Sequence, residues 1–192
     1  MIRRRVVLAL LSLGAVAATA PTEDAGWPCD ADAKPLSAPA AYWPGAERTD
    51  AAGWSTDAPV ASLARDVTRR SIEEADAVVQ VRRFAQARPA AGDRAKLAAA
   101  MIGTIDGERQ SIIDGIRRFN VRQGQLAKRI EEGYAALDVP AITAERRVAV
   151  EEQAKWDQRI FEDRQRMLPI VCRQPGALEQ RLTALLAALK SG

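Results

Sequence analysis

From Asp57 to the C-terminus, apolar and polar positions alternate at helical spacing with almost no break. Val60, Leu63, Ala64 and Val67 share one face of a short helix, with Asp57 as its N-cap and Pro59 in its first turn. Ser71-Ile72-Glu73-Glu74 reads as a capping box ahead of Ala75, Val78, Val79, Val81 and Phe84, and Pro89 with Gly92 closes that helix. No proline then interrupts the chain from Asp93 to Pro140, so residues 93–137 are predicted to form one helix roughly 68 Å long. Within it Ile105, Ile112, Ile116, Phe119, Leu126, Ile130 and Leu137 recur at three- and four-residue steps. Arg109, Gln123 and Gly133 fill the gaps as polar or small seam positions, which completes the heptad mark of a coiled-coil arm. After a turn at Asp138–Thr143, Thr143-Ala144-Glu145-Arg146 opens a return helix. Its stripe includes Ala149, Trp156, Ile160 and Met167, with Gln153 and Asp163 as polar interruptions, and it ends or kinks at Pro169. Pro175 starts a last amphipathic helix carrying Leu178, Leu182, Leu185, Leu186 and Leu189.

Folding back near residue 140 makes antiparallel partners sum to roughly 281. That register sets Leu126 against Lys155–Trp156, Arg129 against Glu151–Glu152, Arg118 against Glu162–Asp163, and Arg122 against Arg159. It also puts Leu97 and Met101 opposite the leucine-rich last helix. The expected fold class is all-α: a helical bundle with a long antiparallel coiled-coil-like helical hairpin (93–168), all within a single helical domain at 58–192. Beyond residue 109 the hairpin would project about 43 Å. Residues 21–57 lack the helical period and hold five of the ten prolines and three of the four tryptophans, Trp27, Trp43 and Trp54. They read as an irregular N-terminal arm whose aromatics either dock on the body or serve as a binding surface.

The N-terminus follows a different rule. Arg3-Arg4-Arg5, an apolar run over 6–13 and small residues through Ala20 are the order of a secretory signal peptide at 1–20. Ala18-Thr19-Ala20 and Ala15-Val16-Ala17 are alternative cleavage sites. The apolar stretch is too short to span a bilayer, so no stable membrane insertion is expected after cleavage. Arginine outnumbers lysine 23 to 5, the usage of a GC-rich bacterial genome, which makes the periplasm the default destination. In an oxidising compartment the only two cysteines, Cys29 and Cys172, are expected to form one disulfide. A closure of that length stabilises by on the order of 5 kcal/mol in the chain-entropy model.

Charge changes the picture only once the signal peptide is set aside. The whole chain has 28 basic and 25 acidic residues; removing the three leader arginines leaves 25 of each. A bulk-electrostatic case for nucleic acid therefore disappears, although residues 108–129 stay locally basic, with six basic residues to two acidic. Arg118, Arg122 and Arg129 share a helix face there. Gly103, Gly107, Gly115, Gly124 and Gly133 each cost roughly 1 kcal/mol in a helix. Ala99, Gly103, Gly107, Ser111 and Gly115 recur every four residues, a ridge along which the helices of 59–87 could approach closely.

The chain has no histidine, which excludes Ser-His-Asp and Cys-His catalysis and His-ligated zinc. No phosphate-binding glycine loop, EF-hand loop or zinc spacing appears, and no cofactor or metal is expected. The expected function is non-enzymatic: a secreted, periplasmic helical protein acting through contacts with another protein, as an adaptor or accessory subunit of an envelope complex. The candidate contact residues are Arg118, Arg122, Arg129, Arg159, Trp43 and Trp54, and a homodimer stays open. The alternative is a periplasmic holdase binding unfolded proteins along the hairpin. Size and hairpin build suit small secreted helical chaperones, but their LTxxQ signature is missing, since Gln180-Arg181-Leu182-Thr183 does not match it.

Overall fold

The computed structural model describes residues 27–30, 36, 39–44, 46 and 51–192; the expected signal peptide and the remainder of the arm lie outside them. Among the described residues every regular element is helical. Seven helices follow in order: α1 (Pro39–Tyr42), α2 (Ala51–Ser55), α3 (Ala58–Thr68), α4 (Glu74–Ala87), α5 (Ala91–Leu137), α6 (Ala144–Cys172) and α7 (Gln174–Ser191). The fold is the expected all-α bundle with a long helical hairpin.

α5 organises the molecule. At 47 residues it is about 70 Å long, and its two halves have different surroundings. The first half is packed by α2, α3 and α7, while α4 reaches the core through α3 and α7. Leu97, Met101 and Ile105 of α5, Val60 and Val67 of α3, Val81 of α4, and Leu178, Leu182, Leu185 and Leu189 of α7 are fully buried in one cluster. The leucine spacing of the last helix thus does what its periodicity predicts. The distal half of α5 pairs with α6 alone.

Asp57 caps α3 as expected, accepting from the Val60 backbone N–H at 3.4 Å. Its other oxygen faces Arg88 at 3.4 Å and Lys96 at 3.9 Å, so one carboxylate joins α3, the end of α4 and the start of α5. Thr143 caps α6 through the Arg146 N–H at 3.3 Å. The capping box expected at Ser71–Glu74 is not used. α4 starts at Glu74, and Glu73 makes no side-chain cap bond.

The reason lies in α7. Arg181 is buried and donates to the Val67 carbonyl at 3.0 and 2.8 Å and to the Ile72 carbonyl at 2.9 Å. It satisfies a carbonyl in the last turn of α3 that the helix cannot satisfy itself, with a charge of the sign that the helix C-terminus favours. Holding the Ile72 carbonyl also keeps Ser71 and Ile72 in the turn between helices. A second buried arginine, Arg109 on α5, bonds Glu179 of α7 at 2.5 Å where bundle gives way to hairpin.

The glycine ridge does not serve the packing expected of it. Nothing approaches the Cβ position of Gly107, and at Gly115 only the tip of Arg118 comes within 4.0 Å. α3 meets α5 on another face, and α4 barely touches it. The upper end of the ridge is covered by the arm, with the Trp54 ring 3.9 Å from where a Gly103 Cβ would stand. Close approach occurs instead at Gly133, whose Cβ would lie 3.3 Å from Ala154 of α6. Pro169 sits one turn before the end of α6, and the helix carries through it to Cys172.

Cys29 and Cys172 are disulfide-bonded, with Cα atoms 5.6 Å apart, which ties the start of the arm to the junction of α6 and α7. Arg181→Ala is expected to lower unfolding free energy by about 2–4 kcal/mol in urea titrations, because two carbonyls lose their donor. Arg70→Ala, which removes an exposed pair with Glu108 and an exposed hydrogen bond to Gln174, should cost about 1 kcal/mol or less. Replacing both cysteines with serine should cost about 2–5 kcal/mol. Intact mass after alkylation without reductant should show neither thiol modified.

Candidate functional site

The distal half of α5 keeps the predicted seam. Ile116, Gln123 and Leu126 are buried, and Phe119, Ile130, Gly133 and Leu137 are half-buried along the same line. The return helix does not present the stripe that was expected. α6 turns Val150, Ala154, Asp157, Phe161 and Leu168 toward α5, a heptad one residue out of phase with the Ala149, Trp156, Ile160, Met167 stripe. One residue is about 100° of helix rotation. As a consequence Trp156 is 55% exposed and Met167 52% exposed, where the sequence pattern had set them against α5.

The pairing register is shifted as well. Arg129 meets Asp157, Gly133 meets Ala154 and Gln123 meets Phe161, so partners sum to 286, 287 and 284. Arg129 therefore faces neither Glu151 nor Glu152, and Trp156 does not sit on Leu126. Asp157 supplies the physical reason. Its side chain is 2% exposed, and Arg129 grips it bidentately, with Nε and Nη2 each 2.7 Å from a carboxylate oxygen. Gln153 adds a third hydrogen bond at 3.1 Å. A carboxylate on the seam is tolerable only beside this donor set, and only this register provides it.

The Arg129 hydrogen bonds hold the Asp157 carboxyl below the ordinary carboxylate range; burial opposes them and Gln153 reinforces them. The same hydrogen bond raises the Arg129 guanidinium. Farther along the seam Gln123 donates to the Phe161 carbonyl at 3.3 Å, while its buried oxygen has no partner. The seam thus holds two polar side chains beside modest apolar contact.

Arg118, Arg122 and Arg129 lie along one flank of α5, as their spacing requires. Arg118 and Arg122 make no ion pair among the described residues, so the expected pairing of Arg118 with Glu162–Asp163 is not formed. Asp163 instead pairs with Arg166 of its own helix. Arg159 is on the outer face of α6, stacked 5.4 Å from the Trp156 ring, and is not opposed to Arg122. Trp43 and Trp54 are half-buried against the bundle core, and Lys190 lies 5.6 Å from the Trp43 ring. The structure therefore gathers the three α5 arginines and separates them from Arg159, Trp43 and Trp54.

On the flank carrying Arg129, a groove of about 480 Å³ opens between α5 and α6 toward the hairpin tip. Small and apolar residues such as Gly133, Ala136, Ala149 and Val150 form its wall, and its polar groups are Arg129, Glu132, Arg146, Gln153 and Asp157. No cluster of three metal-ligating side chains occurs among the described residues, and no helix among them is long and apolar enough to cross a membrane. The sequence pattern did not single out Asp157 or Arg181. Asp157 could have been found as the acid whose pairing with Arg129 restores a continuous heptad; Arg181 has no comparable signal. No family model, no curated protein and no solved structure matches the chain.

The pH dependence of the hairpin follows from the depressed Asp157 carboxyl. Its contribution is complete above the ordinary carboxylate range of the unfolded chain and is lost as pH falls through the lower folded value. Hydrogen exchange of residues 120–160, taken relative to each amide's intrinsic rate (which itself slows in acid), should accelerate on acidification in the native protein. In Asp157→Asn that exchange should already be faster at neutral pH and should change less with acid. Equal acid sensitivity in both proteins would show that the pair does not set the register.

Proposed function

We propose that this is a non-enzymatic secreted protein of the bacterial periplasm that works through protein contacts, as an adaptor or accessory subunit of an envelope complex. The observation that carries the reading is the isolation of the hairpin. About 25 residues of each helix, roughly 37 Å, extend past the bundle with no other element of the described chain against them. Large apolar side chains stand in solvent along this length: Val121 on α5 is 61% exposed, and Trp156 and Met167 on α6 are more than half exposed. Groups of exposed apolar residues framed by charge are what interaction surfaces present.

The chemistry of the chain supports binding over catalysis. Asp157, the buried acid among the described residues, is engaged by Arg129 and kept ionised, which suits a structural anchor and disfavours a proton donor. The Cys29–Cys172 disulfide suits an oxidising compartment, in agreement with the signal-like N-terminus. A second reading, a holdase, draws support from the spread of exposed apolar residues along α6, where Val148 and Ile170 join Trp156 and Met167.

The two readings separate in the cell and in the tube. A photo-crosslinking residue at position 121 or 156 should give discrete adducts with a defined protein, whereas position 79, an exposed apolar site on α4, should give none. Adducts equally abundant at all three positions, or absent at 121 and 156, would count against the hairpin as the contact element. A holdase should suppress aggregation of unrelated unfolding proteins at near-stoichiometric ratio; unhindered aggregation would remove that alternative.

A further inference from the structure

The displaced stripe of α6 and the arginine flank of α5 belong to one surface. Residues on a helix are placed at about 100° intervals, so the positions of Arg118, Arg122 and Arg129 relative to the α5 seam put them on the flank that holds the groove. In the antiparallel partner the same construction brings Trp156, Ile160 and Met167 to that flank, with the exposed Arg164 at the adjoining edge of the seam. The groove agrees with this sidedness, since it is bounded by Arg129 on α5 and by Arg146, Ala149 and Gln153 on α6. Ala149, Trp156, Ile160 and Met167 keep heptad spacing, yet Trp156 and Met167 are more than half exposed and Ile160 is only half-buried. An unused heptad stripe next to an occupied seam is the geometry of a two-helix pair that can accept a third helix.

Charge says which helix. The guanidiniums of Arg118, Arg122, Arg146 and Arg164 make no hydrogen bond or ion pair among the described residues, and Arg129 already has Asp157. The acids on the same flank are occupied within their own helices, Glu132 facing Lys128 at 3.7 Å and Asp163 bonded to Arg166. Four uncompensated guanidiniums border an apolar ledge. The geometry points to this flank of the hairpin as the docking groove for an acidic amphipathic helix of another protein, which would complete a three-helix coiled coil. Its apolar face would cover Trp156, Ile160 and Met167, and its carboxylates would meet Arg118, Arg122, Arg146 and Arg164. The inference rests on the hairpin being the contact element, and it adds the surface and the partner's chemistry.

The test uses the oxidised mature protein and three labelled synthetic peptides of about 24 residues, matched to the length of the hairpin. All are heptad helices: one with leucine seams flanked by glutamate, one with leucine seams flanked by lysine, and one glutamate peptide with serine in the seam. Fluorescence anisotropy should show the first bound at least about ten-fold more tightly than either of the others, with affinity falling as salt rises. Trp156→Ser is a surface substitution and should leave the melting temperature unchanged while weakening that peptide about ten-fold. Combined Arg118→Glu, Arg122→Glu and Arg164→Glu should reverse the preference toward the lysine peptide.

Equal binding of glutamate and lysine peptides, indifference to the three arginines, or no binding of any peptide would overturn the proposal. Binding to phosphatidylglycerol vesicles through the same arginines, with no peptide bound, would assign the flank to a membrane surface and also overturn it. Sedimentation showing a dimer broken by Trp156→Ser would assign the flank to a second copy and overturn it equally. If position 156 crosslinks a partner in cells while the acidic peptide fails, the contact role of the hairpin stands and only this surface chemistry falls.

Discussion

The ion pair between Asp157 and Arg129 decides how α6 is turned, and the outward face of the hairpin follows from that turn. Burying a carboxylate is costly unless its oxygens are fully bonded, and here three hydrogen bonds from two side chains meet that demand. Rotating α6 to bury Trp156, Ile160 and Met167 would seal more apolar surface. It would also carry Asp157 out of reach of Arg129. The pair is worth less as adhesion than as a selector between two nearly equivalent heptads. Register choice by one polar residue at a seam is the best-attested use of such a group.

The bundle rests on a different polar device. Arg181 reaches from α7 to carbonyls at the end of α3 and in the following turn, so two stretches more than a hundred residues apart in the chain meet at one guanidinium. Around it the α7 leucines supply non-directional burial, which would tolerate several angles between helices. The arginine does not tolerate them, because its donors must point at two particular carbonyls. Arg109 performs a related task at the waist, joining α5 to Glu179 of α7 just before the hairpin leaves the bundle. One of its terminal nitrogens is buried without a partner, so this contact is less completely satisfied than the other.

Much of this architecture was legible in the chain, and the failures share one cause. The five longer helices, the uninterrupted run of α5, its seam from Ile105 to Leu137 and the α7 leucines were visible because in each case a single apolar stripe exists, whereas the short α1 and α2 fall inside the arm read as irregular. α6 carries two stripes about 100° apart, one richer in large apolar residues and one containing Asp157. Hydrophobicity alone selects the wrong one, and that choice carried Trp156, Met167 and every ion pair across the hairpin with it. The capping box at Ser71 was overruled by a residue more than a hundred positions away, and the glycine ridge found no helix to pack on it. Local pattern reports what a segment can do; long-range hydrogen bonds settle which option it takes.

α6 is consequently the loosest member of the fold and the one best placed to respond to a partner. Only Ala154 and Asp157 of its 29 residues are fully buried, and its seam meets Gln123, a buried amide left half-satisfied. Helices packed with so few buried apolar contacts open at low free energy. Yet both ends of α6 are held, one by the Thr143 cap and the short turn from α5, the other by the disulfide at Cys172. A helix fixed at its ends and lightly held between them can shift or rotate by small amounts without leaving the body. Those small rotations are what would carry Trp156 and Met167 between the flank and the seam. The polar selector that costs the hairpin apolar burial is thus also what leaves that surface available.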